Sequence, residues 1–301
     1  LILIISLSFL FQPFHIVNFY FQSQVKAKKI TIVQLIVAFI LAIAKVALAL
    51  YGFGIYYFSA IFALEALLYA IFYISLYHKS GNALAWRFDK KTAWFLLSES
   101  WPYMIATALA VIYTRIDQVM IKHIIDTTSV GIYDAAVRVA EIWYFIPGAI
   151  ITSMFPAIVN ARKAADGSYE RRLRHFFVII AIIAAAFAVP IHLLSKWIIN
   201  TLYGIGYSGA DGILSIYVWG GIGFSLSMAI TQYLSAEHRK VAIFASSLIG
   251  MIINITLNII WIPIYGMQGA AWATLVAYSV LPFTILVFRP IRKHIILICK
   301  S

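Results

Sequence analysis

Charged residues and cysteine are both scarce in this 301-residue chain, and each scarcity excludes a class of protein. Only 11% of the residues are charged whereas 63% are hydrophobic, and the mean hydropathy is +0.93. A soluble domain carries roughly a quarter charged residues, so the composition excludes a soluble enzyme and a disordered chain. The single cysteine, Cys299, excludes an internal disulfide and any site built from several thiolates. The composition therefore predicts an integral membrane protein.

The chain also lacks the motifs that mark nucleotide-driven pumps and hydrolytic enzymes. It contains no Walker A loop, no glycine-rich dinucleotide turn, no nucleophile elbow, and no His, Asp and Glu set with metal-ligand spacing. The loops predicted on one side of the membrane are only a few residues long, which leaves no room there for a catalytic domain. We therefore expect a protein that is not an enzyme and that uses neither a cofactor nor a metal.

Long apolar runs fill most of the chain. A helix needs about 20 mostly apolar residues to cross about 30 Å of hydrocarbon. The runs predict nine transmembrane helices, near 1–21, 30–51, 55–77, 94–122, 129–157, 175–203, 209–234, 239–263 and 268–289. The runs are continuous and do not alternate with period two, which favours helices over strands. The predicted fold class is therefore all-α, a polytopic membrane helix bundle.

The positive charge of the chain predicts its orientation in the membrane. The net charge is +12, and nearly all loop Lys and Arg residues lie after the first, third, fifth and seventh predicted spans or in the C-terminal tail. The alternate loops hold only Lys122 and Lys196. Because basic loops stay on the cytoplasmic side, the C-terminus is predicted inside and residue 1 outside. This distribution also argues against nucleic acid as a partner of the basic residues.

Two hydrophobic hairpins have a similar order of residues. The first runs from residues 20–24 to Tyr51-Gly52, and the second runs from residues 233–237 to Tyr265-Gly266. The spacing favours an internal repeat over chance similarity, as in many transporters. Such a repeat predicts that about 120 residues with three spans precede residue 1, giving twelve spans in two six-helix lobes.

This repeat divides the chain into three predicted parts. Residues 1–79 are the end of the first lobe, whose first three spans are missing. Residues 80–93 are a cytoplasmic linker, and residues 94–301 are the second six-helix lobe with its basic tail.

Seven of the charged residues inside the predicted spans are candidates for a functional role. A charge at the centre of a transmembrane helix costs about 3 kcal/mol or more, so it faces protein or a wet cavity and marks a candidate functional site. Three of these residues are basic and four are acidic: Lys45, Glu65, Arg115, Asp117, Asp134, Arg138 and Glu141.

Arg138 and Arg115 differ in the partners that their own helices offer. Asp134, Arg138 and Glu141 share one helix face, where Arg138 can pair with either acid, and a structural ion pair is as good an interpretation as a binding role. Arg115 has no acid on the same face of its own helix, because Asp117 points away. That absence favours a binding role for Arg115, the alternative being a structural bond to Asp117 or Glu141 across a helix contact.

Three stretches carry a resemblance to a known family. Residues 98–157 read SESWPYMIATALAVIYTRIDQVMIKHIIDTTSVGIYDAAVRVAEIWYFIPGAIITSMFPA, residues 11–24 include FQPF and YFQSQ, and residues 265–280 read YGMQGAAWATLVAYSV. These stretches resemble Wzx-type polysaccharide repeat-unit flippases of the MATE-like (MOP) exporter superfamily. The resemblance implies two six-helix lobes around a polar cavity. It also implies alternating access that moves an undecaprenyl-diphosphate-linked oligosaccharide to the outer leaflet of a bacterial inner membrane.

The resemblance also implies roles for the charged residues in the spans. Basic cavity residues would meet the diphosphate or acidic sugars of the lipid-linked oligosaccharide, and the candidates here are Arg115, Arg138 and Lys45. Without a nucleotide site, uphill transport needs an ion gradient of H+ or Na+, for which the coupling candidates are Asp117, Asp134, Glu141 and Glu65. The expected partners are the lipid-linked oligosaccharide, membrane lipids and polysaccharide polymerase machinery.

Two other functions also fit the sequence. One is a MATE-type cation-coupled exporter of small molecules, and the other is a membrane glycosyl polymerase or ligase.

Overall fold

A computed structural model describes residues 2–24, 27–81, 87–164 and 169–287. In these ranges the chain forms eleven α-helices, together with short turns and 3-10 segments. The helices are α1 Ile2–Ser6, α2 Ile16–Ser23, α3 Ala27–Leu50, α4 Ile55–Lys79, α5 Lys90–Ile124, α6 Thr127–Glu141, α7 Phe145–Ala164, α8 Tyr169–Tyr203, α9 Ala210–Ala236, α10 Lys240–Tyr265 and α11 Met267–Val280. The basic C-terminal tail and Cys299 lie outside the described residues, as does Lys26. The predicted all-α class of a multi-pass membrane protein is confirmed.

The number of membrane-spanning helices differs from the predicted nine. Among the described residues, seven helices are long and apolar enough to cross a membrane. An eighth span exists if the segments Leu3–Leu10 and Gln12–Phe21, which meet at a bend of 43°, are counted together. Pro13 lies just after this bend, and proline lacks the N–H that a continuous helix needs. The count of nine is therefore not confirmed.

Two predicted spans are broken by 3-10 segments. The span predicted at 129–157 consists of α6, the 3-10 segment Ile142–Tyr144 and the start of α7. At the C-terminal end, α11 has 14 residues and is followed by the 3-10 segment Leu281–Val287, which contains Pro282. The span predicted at 268–289 is thus too short as a single α-helix.

The chain forms two compact units, Leu1–Asp89 and Lys90–Ser301. In the first unit, α3 and α4 pack against each other around a core that includes Val37, Leu41 and Tyr73. In the second unit, α9 is the central helix, because it packs against α6, α8 and α11. α10 packs against α5 and α11 in the same unit.

Glycines allow the central helices of the second unit to approach closely. A Cβ added at Gly223 would lie 2.6 Å from the carbonyl carbon of Tyr278, and one added at Gly221 would lie 2.9 Å from Cη2 of Trp143. Both distances are shorter than real Cβ contacts, so no side chain fits at either position without movement. Small residues at such crossings are typical of membrane helix packing.

The two similar hairpins end their helices in the same way. Gly52 follows the end of α3 with a φ of +68°, and Gly266 follows the end of α10 with a φ of +60°. Glycine tolerates this left-handed region and commonly terminates helices there. The internal repeat is thus matched locally by the backbone, while the twelve-span architecture stays a prediction.

Candidate functional site

A short turn between α5 and α6 places their polar residues side by side. Asp126 caps the start of α6, its carboxylate accepting a hydrogen bond from the Ser129 backbone N–H at 2.7 Å. The two helices therefore run back along each other, with Gln118 of α5 opposite Asp134 of α6. This hairpin gathers five of the seven charged candidate residues of the predicted spans.

Four of these charged side chains line one open pocket of about 470 Å³, which we call the α5–α6 pocket. Its lining residues are Arg115, Gln118, Asp134, Arg138, Glu141 and Ile142. It contains two guanidinium groups and two carboxylates, so the lining is electrically balanced. Since charged groups within a span avoid lipid, the open side of this pocket faces water or protein.

Each basic residue of the pocket forms an ion pair with one acidic residue. Arg115 Nη2 donates to Glu141 Oε2 at 2.9 Å, and Arg138 Nε donates to Asp134 Oδ2 at 2.5 Å. Gln118 Nε2 donates to the other oxygen of Asp134 at 3.1 Å. The exposed fractions are 48% for Arg115 and 71% for Arg138, against 22% for Glu141 and 27% for Asp134. The bases therefore reach outward while the acids lie closer to the helices.

A buried polar layer lies behind the pocket. Asp117 is only 1% exposed, and its Oδ2 accepts from the Tyr133 hydroxyl at 2.5 Å while its Oδ1 accepts from the Gln118 backbone N–H at 2.8 Å. Tyr217 on α9 is also fully buried, and its hydroxyl donates to Glu141 Oε1 at 3.2 Å. The pocket is thus connected to the interior of the unit by the Glu141 side chain and by the Gln118 backbone.

A second buried polar set was not identified from the sequence. Asn258 Nδ2 donates to Asn254 Oδ1 at 3.0 Å, and Asn254 Nδ2 donates to the hydroxyl of Thr274 at 3.3 Å. All three residues are buried where α10 meets α11. The available signal was the i, i+4 spacing of two amides inside an apolar run, since amides in membrane helices seek hydrogen bonds with neighbouring helices.

Lys45 and Glu65 belong to the first unit and do not line the α5–α6 pocket. Lys45 is half-buried on α3, with its Nζ 5.6 Å from the centre of the Phe62 ring on α4. Glu65 is half-buried on α4, one turn before Tyr69. Tyr69 and Tyr73 both contact the ring of His15 edge-on.

Within the described ranges, no three His, Cys, Asp or Glu side chains are close enough together to hold a metal ion.

Comparisons with known proteins give consistent results. The profile of a family described as "Polysaccharide biosynthesis protein" matches residues 1–210. Two similar proteins come from Haloferax volcanii. The probable flippase AglR is 28% identical over 61% of this chain and 39% of its own length. The probable low-salt glycan biosynthesis flippase Agl15 is 25% identical over 56% of this chain and 36% of its own length.

A solved structure shares the fold. The lipid II flippase MurJ in an inward closed conformation superposes with a TM-score of 0.60, covering 77% of this chain and 50% of the MurJ chain at 20% identity. At that identity the likeness concerns the fold alone. The chain spans less than half the length of the two Haloferax proteins. The family match extends over more than half of the chain, so the predicted resemblance is confirmed and this protein belongs to the polysaccharide biosynthesis protein family.

Proposed function

We propose that this chain is part of a flippase that moves undecaprenyl-diphosphate-linked oligosaccharides from the cytoplasmic to the outer leaflet of a bacterial inner membrane. The product would supply the synthesis of a surface polysaccharide such as O-antigen or capsule. The family membership, the flippase names of the two Haloferax relatives and the shared fold support this proposal. The observation that carries it is the α5–α6 pocket, which presents two guanidinium groups within membrane-spanning helices.

The chemistry of the pocket suits such a substrate. A sugar headgroup that crossed bare hydrocarbon would lose the hydration of many hydroxyls, at a cost of several kcal/mol for each one. A polar path avoids this cost while the lipid tail stays in the bilayer. Arginine donates in a planar fork that matches phosphate oxygens, so Arg115 and Arg138 fit a diphosphate better than an ammonium group would.

The remaining features of the proposal concern energy supply and surroundings. Transport would be coupled to H+ or Na+ by alternating access, with Asp117, Asp134, Glu141 or Glu65 as the coupling acid. The C-terminus would lie in the cytoplasm, and the flipped units would pass to polysaccharide polymerase machinery. The protein itself would carry out transport and no covalent chemistry.

Substitution of Arg115 tests the proposal in a host strain whose own gene has been deleted. The deletion should abolish surface polysaccharide while lipid-linked units accumulate in the inner leaflet. Arg115→Ala should fail to restore the polysaccharide, and Arg115→Lys should restore it only in part, because the charge remains while the fork is lost. Arg171 lies exposed on α8 outside the pocket, so Arg171→Ala is the matched control and should restore the polysaccharide fully.

Protein abundance separates binding from stability in this experiment. The Arg115–Glu141 pair is partly exposed, and such pairs contribute about 1 kcal/mol or less, so Arg115→Ala should accumulate in the membrane at the normal level. Full restoration by Arg115→Ala would contradict the binding role of the pocket. Drug sensitivity with a normal surface polysaccharide in the deletion strain would instead identify a small-molecule exporter.

A further inference from the structure

The first unit contains its own group of polar side chains in membrane-spanning segments. His15 lies just after the bend of the first span, and its ring contacts the rings of Tyr69 and Tyr73 on α4 edge-on, with ring centres 5.6 and 5.4 Å apart. Glu65 lies one turn before Tyr69 on the same face of α4. We call Glu65, Tyr69 and His15 the α4 cluster.

Tyr73 fixes the position of the Tyr69 ring. The two rings stack with their centres 5.7 Å apart, and Tyr73 is fully buried. The Tyr73 hydroxyl accepts a hydrogen bond from Gln34 Nε2 on α3 at 3.4 Å. Tyr73 lies one turn after Tyr69 and Glu65 lies one turn before it, so Tyr73 does not cover the Glu65 side of the Tyr69 ring. A carboxylate and one side of an aromatic ring are therefore neighbours on α4.

Glu65 has no polar partner of its own among the residues that the structure describes. No hydrogen bond or ion pair is formed there by its carboxylate, whereas Asp117, Asp134 and Glu141 of the second unit each have at least one. Glu65 lies ten residues after the start of α4, about 15 Å along the helix, so its short side chain does not reach the membrane surface. A carboxylate at this depth needs hydrogen-bond donors, and Glu65 is only half-buried, so a ligand can supply them.

The chemistry of the α4 cluster suits a sugar ring. A pyranose presents hydroxyl donors at its edge and an apolar face of C–H groups. The two oxygens of the Glu65 carboxylate accept hydrogen bonds from neighbouring hydroxyls, and the neutral His15 ring carries one donor and one acceptor nitrogen. The Tyr69 ring offers apolar area beside them. An ion would use the carboxylate but not the aromatic ring, so the combination favours a sugar.

We infer that the α4 cluster binds one sugar ring of the transported headgroup, with Glu65 accepting hydrogen bonds from two sugar hydroxyls and Tyr69 packing against the apolar face. This role rests on the proposed function, since the sugar belongs to the lipid-linked oligosaccharide named there. Glu65 thereby serves sugar recognition rather than ion coupling. The first unit selects the sugar, while the contacts proposed for the diphosphate lie in the second unit.

Binding measurements on the full-length protein in lipid nanodiscs test the inference. The probes are glucose, galactose and N-acetylglucosamine, each joined to farnesyl diphosphate, and the reference is farnesyl diphosphate with a methyl cap on its terminal phosphate. All four molecules are disubstituted diphosphates of the same charge, so they differ only in the sugar. The wild-type protein should bind at least one sugar probe about tenfold or more tightly than the reference, because hydrogen bonds to a charged acceptor are strong.

Glu65→Leu is the decisive variant, because leucine forms no side-chain hydrogen bond and is favourable in a membrane helix. It should abolish the preference for the sugar probe and keep the affinity for the reference within about twofold of the wild-type value. Tyr69→Leu should reduce the preference by about threefold or more. The matched controls are Glu99→Leu and Tyr57→Leu, and both should keep the preference. Glu99 pairs with Lys240 in the second unit, and Tyr57 lies exposed near the start of α4.

The reference probe distinguishes this inference from the proposed function. A wild-type protein that binds the sugar probes and the reference equally well overturns the inference, and so does a Glu65→Leu protein that keeps the preference. The proposed function stands in both cases, because the diphosphate is still bound. A wild-type protein that binds none of the four molecules overturns both.

Photo-crosslinking of the wild-type protein needs no variant, so it tests the inference even where Glu65→Leu fails to fold. A diazirine is placed on the sugar of the probe that binds best, and the attached peptides are identified by mass spectrometry. The sugar should attach to residues 12–15 or 55–79 of the first unit. Attachment confined to residues 90–287 would overturn the inference.

Discussion

Tyr133→Phe should destabilise the second unit because it removes the hydrogen bond to Asp117. The Tyr133 hydroxyl donates to Asp117 Oδ2 at 2.5 Å, and both side chains are buried. Phenylalanine keeps the packing of the ring but leaves one buried carboxylate oxygen without its donor. The other oxygen of Asp117 still accepts from the Gln118 backbone N–H at 2.8 Å, so the carboxylate is left half-satisfied.

The expected loss is about 2 to 3 kcal/mol, since hydrogen bonds to charged groups contribute about 1.5 to 3 kcal/mol and an unpaired buried group adds its desolvation. Tyr217→Phe is the matched comparison, because the Tyr217 ring is equally buried. Its acceptor, Glu141, is partly exposed and lies at 3.2 Å, so water replaces the lost donor. That variant should lose about 1 kcal/mol or less.

Unfolding by SDS in mixed micelles, followed by circular dichroism, measures both losses. The same pair of measurements in an Asp117→Asn background completes a double-mutant cycle, in which the loss caused by Tyr133→Phe should shrink by about 1 kcal/mol or more. An equal loss from Tyr133→Phe and Tyr217→Phe would refute the reasoning. So would an undiminished loss in the Asp117→Asn background, because the charge of the carboxylate would then play no part.

Three further predictions concern packing, topology and helix capping. Gly223→Ala should destabilise by about 2 kcal/mol in the same unfolding assay, because its Cβ would meet the backbone of α11. Gly220→Ala should cost clearly less, because its Cβ would lie 3.3 Å from the nearest atom, on the Tyr278 ring. In a background without the native cysteine, a thiol at Arg171 should react with an impermeant reagent only from the cytoplasm and one at Gln268 only from outside; reversed labelling would refute the charge-based orientation. The Ser129 backbone N–H lowers the pKa of Asp126, so Asp126→Ala should lower the melting temperature at neutral pH. The difference in melting temperature should vanish as the pH falls through that lowered pKa. The wild-type carboxyl is then protonated, so it no longer provides a charged cap for α6.

The long helices could be predicted because lipid leaves an apolar segment of 20 residues few other ways to pair its backbone groups. The predicted spans at 30–51 and 239–263 accordingly end within a few residues of α3 and α10. The 3-10 segment Ile142–Tyr144 was not predicted, because it depends on packing of Trp143 against a helix that lies far away in the sequence. The hydropathy of one segment does not indicate which distant helix packs against it.

The candidate site was likewise predictable only in part. The Arg138–Asp134 pair follows from the spacing of the two residues on one helix, which the sequence displays directly. The partner of Arg115 does not follow, since Asp117 and Glu141 were both candidates and only the packing of α5 on α6 selects Glu141. The burial of Asp117 against Tyr133 likewise depends on tertiary contacts, although both residues stand in the block that resembles the family.

The close contact between Gly221 and the Trp143 ring has an evolutionary consequence. The Trp143 indole occupies the space that a side chain at position 221 would need, and Tyr144 Cε1 would lie 2.9 Å from the same Cβ. The side chains at positions 143 and 221 therefore cannot change in size independently of each other. Among related sequences, a larger residue at 221 should be inherited together with a smaller one at 143, and an alignment deep enough to show covariation should couple these two columns across the 78 positions that separate them.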